Sequence, residues 1–185
     1  MGVNRERVGH RVLGMDATDL GPLASEDVLQ VGGLPLHPLI VHAVVVLTPL
    51  TVLALLLGTF WPTARRRLGI VTTLGALLVL VLVPVTVAAG RSLAAALGPI
   101  PAVARHQGFG EMLLPWVIGL FVVAAAQWAW YRFGDENVRR DRPGVARGVV
   151  IALGAAAVIV GIGTLVTVVL IGDSGARAVW GGLLG

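Results

Sequence analysis

Three histidines, His37, His42 and His106, and two carboxylates, Glu111 and Asp173, are the side chains whose types and positions can carry chemistry. Each lies beside, or about one turn inside, a stretch otherwise apolar enough to cross a bilayer. Imidazole or carboxylate at that depth is costly unless it is hydrogen-bonded, faces other helices or binds something. Four uses fit the set. Two histidines on different helices can ligate a b-type haem, with His42 and His106 the leading pair and Met112 a weaker ligand. His37, His42 and His106 with Glu111 or Asp173 can bind a transition metal such as Zn, Cu or non-haem Fe. The same groups can relay protons or hold a small substrate. Finally, they can hydrogen-bond one another and cap helix ends, tying a bundle together. No nucleophile–base arrangement, P-loop or dinucleotide fingerprint accompanies them, which argues against an enzyme. Gly161-Ile-Gly163 lies inside an apolar span with no strand before it.

The elements that must position these groups are helices. Apolar runs of bilayer length cover about residues 39–61, 68–89, 112–131 and 149–171, and they lack the polar face of a soluble helix. An all-α, polytopic membrane protein with a four-transmembrane-helix bundle is the fold class this predicts. Pro35 and Pro38 hold the chain extended before the first span, with Pro38 suited to open the helix. His37 would then precede the helix proper and cross to another helix end, with Asp173 the expected partner. If both histidines were helical, five residues of separation would set His37 and His42 about 140° apart; His106 and Glu111 share that spacing. Pro49 and Pro84 predict kinks, with Thr48 or Thr51 placed to satisfy the carbonyl that Pro49 frees. Gly98-Pro99-Ile-Pro101 breaks the second helix, and Pro101 can open the third. Phe133–Gly144 reads as a charged turn, and Gly172–Gly181 as a polar outer turn. Ala157 and Gly161 stand at the small-xxx-small spacing of close helix packing. No internal repeat is evident.

Composition bounds the rest. The chain of 185 residues is 56% hydrophobic, with a mean hydropathy of +0.88, too apolar for an ordinary soluble domain. All fourteen basic residues are Arg. The pI of about 11.2 is not a nucleic-acid signal, because the arginines follow the membrane pattern. Arg65, Arg66 and Arg67 fill the first connection, and Arg132, Arg139, Arg140, Arg142 and Arg147 the third, against Arg91 and Arg105 in the second. By the positive-inside rule the first and third connections are cytoplasmic, with both termini outside, in a multi-pass protein of the cytoplasmic membrane. The absence of Cys excludes disulfides, cysteine-ligated clusters and thioether-attached haem. Residues 1–32 form a polar tail, with Ser25-Glu-Asp a helix start and Met15 an alternative initiator; residues 33–181 form the transmembrane domain.

Gly33-Leu-Pro-Leu-His-Pro-Leu-Ile-Val-His42, Ala104-Arg-His-Gln-Gly-Phe-Gly-Glu111 leading to Leu114-Pro115, and Gly172-Asp-Ser-Gly-Ala-Arg-Ala-Val-Trp180 resemble the bacterial membrane family catalogued as domain of unknown function 2231. The likeness covers about residues 33–181, and His-Pro-x-x-x-His is its most specific part. It implies four transmembrane helices and no assigned activity. Some relatives occur with redox modules, which implies a haem or metal role. Members often carry His in the closing Gly-x-x-Gly turn where this chain has Asp173. The expectation is a redox-associated accessory protein, binding haem b or a transition metal through a His/carboxylate cluster at the outer face. It would work with a membrane redox partner or as a homo-oligomer. The alternative is a structural or interaction subunit whose cluster only ties helix ends, and a small-solute or proton pathway ranks third.

Overall fold

A computed structural model describes residues 30, 31 and 33–181; the expectations for the tail, including the Ser25 helix start, lie outside them. The chain opens with a short antiparallel pair, β1 (Gln30–Val31) against β2 (Leu34–Pro35). Gly33 turns between them at φ 79°, in the left-handed region that glycine enters without strain. Helices follow: α1 (Leu36–Phe60), α2 (Pro62–Leu68), α3 (Val71–Leu97), α4 (Pro101–Ala129), a π-helical turn (Trp130–Gly134), α5 (Asp135–Asp141) and α6 (Pro143–Trp180). Four helical runs, α1, α3, Pro101–Gly134 and α6, are long and apolar enough to cross a membrane.

Short connections make successive long helices antiparallel. α1 and α4 each pack against both α3 and α6, which closes a four-membered ring. The N-termini of α1 and α4 therefore meet the C-termini of α3 and α6 at one end, the histidine end. The opposite, arginine end holds α2, the π turn and α5. Val44, Val79, Val83, Leu113 and Val117 form the core nearer the histidines. Val52, Leu55, Ala76, Leu120, Ala124 and Ala157 form the core nearer the arginines. At most 28% of any span's most apolar window is buried inside the protein, so the remaining Val, Leu and Ile surface is hydrocarbon-facing, as in a bundle solvated by lipid. Small residues allow the helices to approach: Gly161 backs onto Val52 and Leu56, and the Trp116 ring occupies the place a Cβ on Gly163 would take.

Several local expectations change. α1 begins at Leu36, so His37 lies within its first turn and Pro38 is not the opening residue. The region 133–144 is the π turn followed by α5, not an irregular turn. Gly172–Trp180 continues α6, because Asp173 and Arg177 pair at i,i+4 on an Ala-containing helix and Arg177 suits a C-terminus. The Thr48 hydroxyl is buried without a partner and does not compensate for Pro49.

A repeat is visible once burial is known. Val44, Thr48, Thr51, Leu55 and Gly58 are buried along α1; Leu113, Val117, Leu120, Ala124 and Gln127 are buried along α4, each the same distance further along the chain. His37 and His106 keep that same interval. α4 thus repeats α1 in its burial register, and the histidine recurs with it.

Candidate functional site

The histidine end is built around two rings. His37, in the first turn of α1, points across to α3, where its Nδ1 lies 2.9 Å from the Thr86 carbonyl oxygen. His106, in the second turn of α4, points across to α6, where its Nδ1 lies 3.1 Å from both the Ile171 carbonyl oxygen and the Ser174 hydroxyl. Ser174 itself donates to the Ile171 carbonyl at 3.0 Å. A carbonyl can only accept, so each imidazole donates from Nδ1, and in the neutral ring that tautomer leaves the lone pair at Nε2. The rings meet edge to face, with centroids 6.1 Å apart and planes at 82°.

Glycine makes both dockings possible. A Cβ on Gly90 would stand 3.0 Å from the His37 ring, and one on Gly175 would stand 3.1 Å from the His106 ring. In each case the glycine lies four residues after the accepting carbonyl, where its missing side chain opens the groove on that face. The two halves of the site therefore use one device: a histidine near a helix N-terminus, and a carbonyl followed one turn later by glycine. Sequence reasoning missed Thr86, Gly90 and Gly175 because these contacts use backbone, and Ser174 because its hydroxyl only joins the Ile171 carbonyl at one of them. The signal available was the small residue at Gly90 and Gly175 near the ends of the second and fourth spans.

The other expected members stand apart. His42 is exposed, and its Nδ1–H folds back onto the Pro38 carbonyl at 2.6 Å. The cause is the helix start at Leu36, which turns His42 about 140° away from His37 and off the bundle axis. The same spacing turns Glu111 away from His106. Glu111 meets Arg91 of α3, which donates from Nη2 at 2.8 Å and Nε at 3.1 Å. Asp173 accepts from Arg177 at 2.9 Å on the surface of α6, so His37 finds Thr86 where Asp173 was the expected partner. The anticipated His42–His106 pair and the joint His/carboxylate cluster do not assemble. Among the described residues, no three His, Asp or Glu side chains are gathered as metal ligands.

At the arginine end, Gln127 donates to the Thr59 hydroxyl at 2.8 Å, and Thr59 donates to the Leu55 carbonyl at 2.8 Å. Beyond this link a cavity of about 610 Å³ opens between α2, the start of α3 and the end of α4.

Fold and site together define an integral membrane protein of four helices whose polar contacts gather at the helix ends. Residues 33–185 match the family described as predicted membrane protein, DUF2231, and the chain belongs to it. No curated protein and no solved structure matches it.

Proposed function

We propose that the protein is a structural or interaction subunit of the membrane, and that His37 and His106 fasten its two helix hairpins. The observation that carries this reading is the use of each Nδ1–H by a backbone carbonyl of a neighbouring helix. Such bonds are retained in lipid because the alternative is a polar group facing hydrocarbon. The test is thermal unfolding of detergent-purified protein beside its absorption spectrum and metal content. His37→Ala and His106→Ala should lower the melting temperature and leave spectrum and metal unchanged. Undiminished stability in both variants would overturn the fastening role.

One observation favours a second reading. Imidazoles that bind metals characteristically donate their other N–H to a carbonyl or carboxylate, which orients the free nitrogen. His37 and His106 both do so, with ring centroids 6.1 Å apart, and would be the imidazoles to hold a metal ion or haem b. The carboxylates do not join them, so this site would be bis-histidine, without Glu111, Asp173 or His42. A Soret band or stoichiometric metal that is lost in both His37→Ala and His106→Ala, and kept in His42→Ala, would establish it.

For orientation, the arginines of the first and third connections support a cytoplasmic arginine end. A C-terminal reporter active only in the cytoplasm should be silent, and one fused after Arg67 should report; the reverse pattern would place the histidines inside.

A further inference from the structure

The cavity at the arginine end is lined by Arg65 and Arg66 of α2, Tyr131 and Arg132 of the π turn, Gln127 of α4 and Glu136 of α5. Three arginines thus stand against one carboxylate among the described residues of the lining. Among the described residues, none of the three makes an ion pair, although a salt bridge is the ordinary fate of an arginine near apolar surface. Arg65 is also held in place. Its guanidinium stacks on the Tyr131 ring at 3.7 Å, which removes rotamer freedom and leaves the in-plane N–H groups available. Its Nε is buried with no acceptor, the donor of a hydrogen bond still to be made. The π turn, which adds a residue to the helical turn, brings Tyr131 and Arg132 to the same opening.

From these features we infer that the cavity binds a phosphate group. Planar, pre-oriented guanidinium forks match phosphate oxygens in pairs. A volume near 610 Å³ exceeds what bare phosphate fills and lies in the range of small-molecule sites. Pro62, Leu68, Ala124 and Trp128 add apolar surface to the same lining. An amphiphilic phosphate therefore fits best: the headgroup of an anionic phospholipid, its phosphate taken by Arg65, Arg66 and Arg132 and its acyl chains by the apolar lining. Basic pockets between transmembrane helices take such headgroups. A soluble phosphate would use the same donors.

The experiment uses the full chain in a neutral detergent and measures lipid retention by native mass spectrometry together with the unfolding midpoint. The additions are phosphatidylglycerol, diacylglycerol of the same acyl chains, which lacks the phosphate, or inorganic phosphate. Phosphatidylglycerol should bind roughly tenfold more tightly than diacylglycerol and raise the unfolding midpoint further. Arg66→Gln and Arg132→Gln, both at exposed positions, should remove most of that preference. Arg65→Lys, which keeps charge and loses the fork, should retain part of it, and Arg105→Gln on the opposite end should retain it all. Stabilisation by inorganic phosphate alone, lost in the same variants, would uphold the phosphate site and assign it to a soluble ligand. Equal response to both lipids with no response to phosphate, or equal loss in Arg105→Gln, would overturn the inference.

Discussion

The two ends of this bundle solve opposite problems with polar groups. At the histidine end His37, His106 and Ser174 are spent on backbone carbonyls, and the nearby charges pair as Arg91–Glu111 and Arg177–Asp173. At the arginine end Arg65, Arg66 and Arg132 surround a cavity with no ion-pair partner among the described residues. A polar group already satisfied within the protein contributes to holding the fold, whereas a fixed, unsatisfied donor beside an open volume has capacity left for a ligand. Side-chain chemistry alone points the other way, since imidazoles look like ligands and arginine runs look like topology signals. The comparison shows that what decides is whether the donors are already used.

The sharpest test of the difference is truncation at each end. His106→Ala removes a half-buried ring and its interhelical hydrogen bond, and should cost about 2–3 kcal/mol in ligand-free detergent. Arg66→Ala and Arg132→Ala should stay within about 0.5 kcal/mol under the same conditions, because exposed side chains without an ion pair contribute little and the Arg132–Phe133 ring contact, at 5.2 Å, is exposed. Reversible unfolding in mixed detergent measures both. Equal costs at the two ends would dissolve the distinction.

Crowding is the next largest effect. Gly90→Ala and Gly175→Ala place a methyl against His37 and His106, respectively, at distances that force the ring to shift. Each should destabilise by about 1–2 kcal/mol. Pairing Gly175→Ala with His106→Ala should recover part of the loss, because the obstructed ring is gone. Gly58, which faces Gln127 at 3.6 Å, has room for a methyl at the arginine end, and Gly58→Ala should be the mildest of the three.

Between the ends, the buried Thr48 hydroxyl has no partner. Thr48→Val replaces it with a methyl of similar shape and should raise stability by about 1 kcal/mol. A loss of stability would mean that the hydroxyl serves a bond made in the membrane, and that the middle of the bundle resembles the histidine end.

How much of this was legible follows from the length scale of each signal. Four spans and an all-α membrane fold were readable because hydrophobicity accumulates over some twenty residues. The close packing around Ala157 and Gly161 followed from small residues alone. Partner choice at the histidine end was not readable, because it depends on where α1 begins. Starting at Leu36 instead of Pro38 brings His37 into the helix and turns His42 outward. The backbone acceptors at Thr86 and Ile171 have no side-chain signature, and the repeat between α1 and α4 lies in burial and, His37 and His106 apart, not in residue identity. The arginine cavity was hidden by an adequate explanation, since the positive-inside rule already accounts for arginines there.

The smallest effect separates a supporting ion pair from a member of the site. Glu111 is 45% exposed and its partner Arg91 59% exposed, so solvent screens their attraction even at a 2.8 Å separation. Glu111→Gln should cost only a few tenths of a kcal/mol, and the difference should fade as salt is raised to about 1 M, where the screening length is about 3 Å. His106→Ala should keep its larger penalty across the same salt range, because its bond to the Ile171 carbonyl involves no ion pair. If Glu111→Gln proved as damaging as His106→Ala, and equally insensitive to salt, the carboxylate would be working together with the histidines. The bis-histidine reading would then have to be replaced by a mixed His/carboxylate centre formed in a different arrangement of α3 and α4.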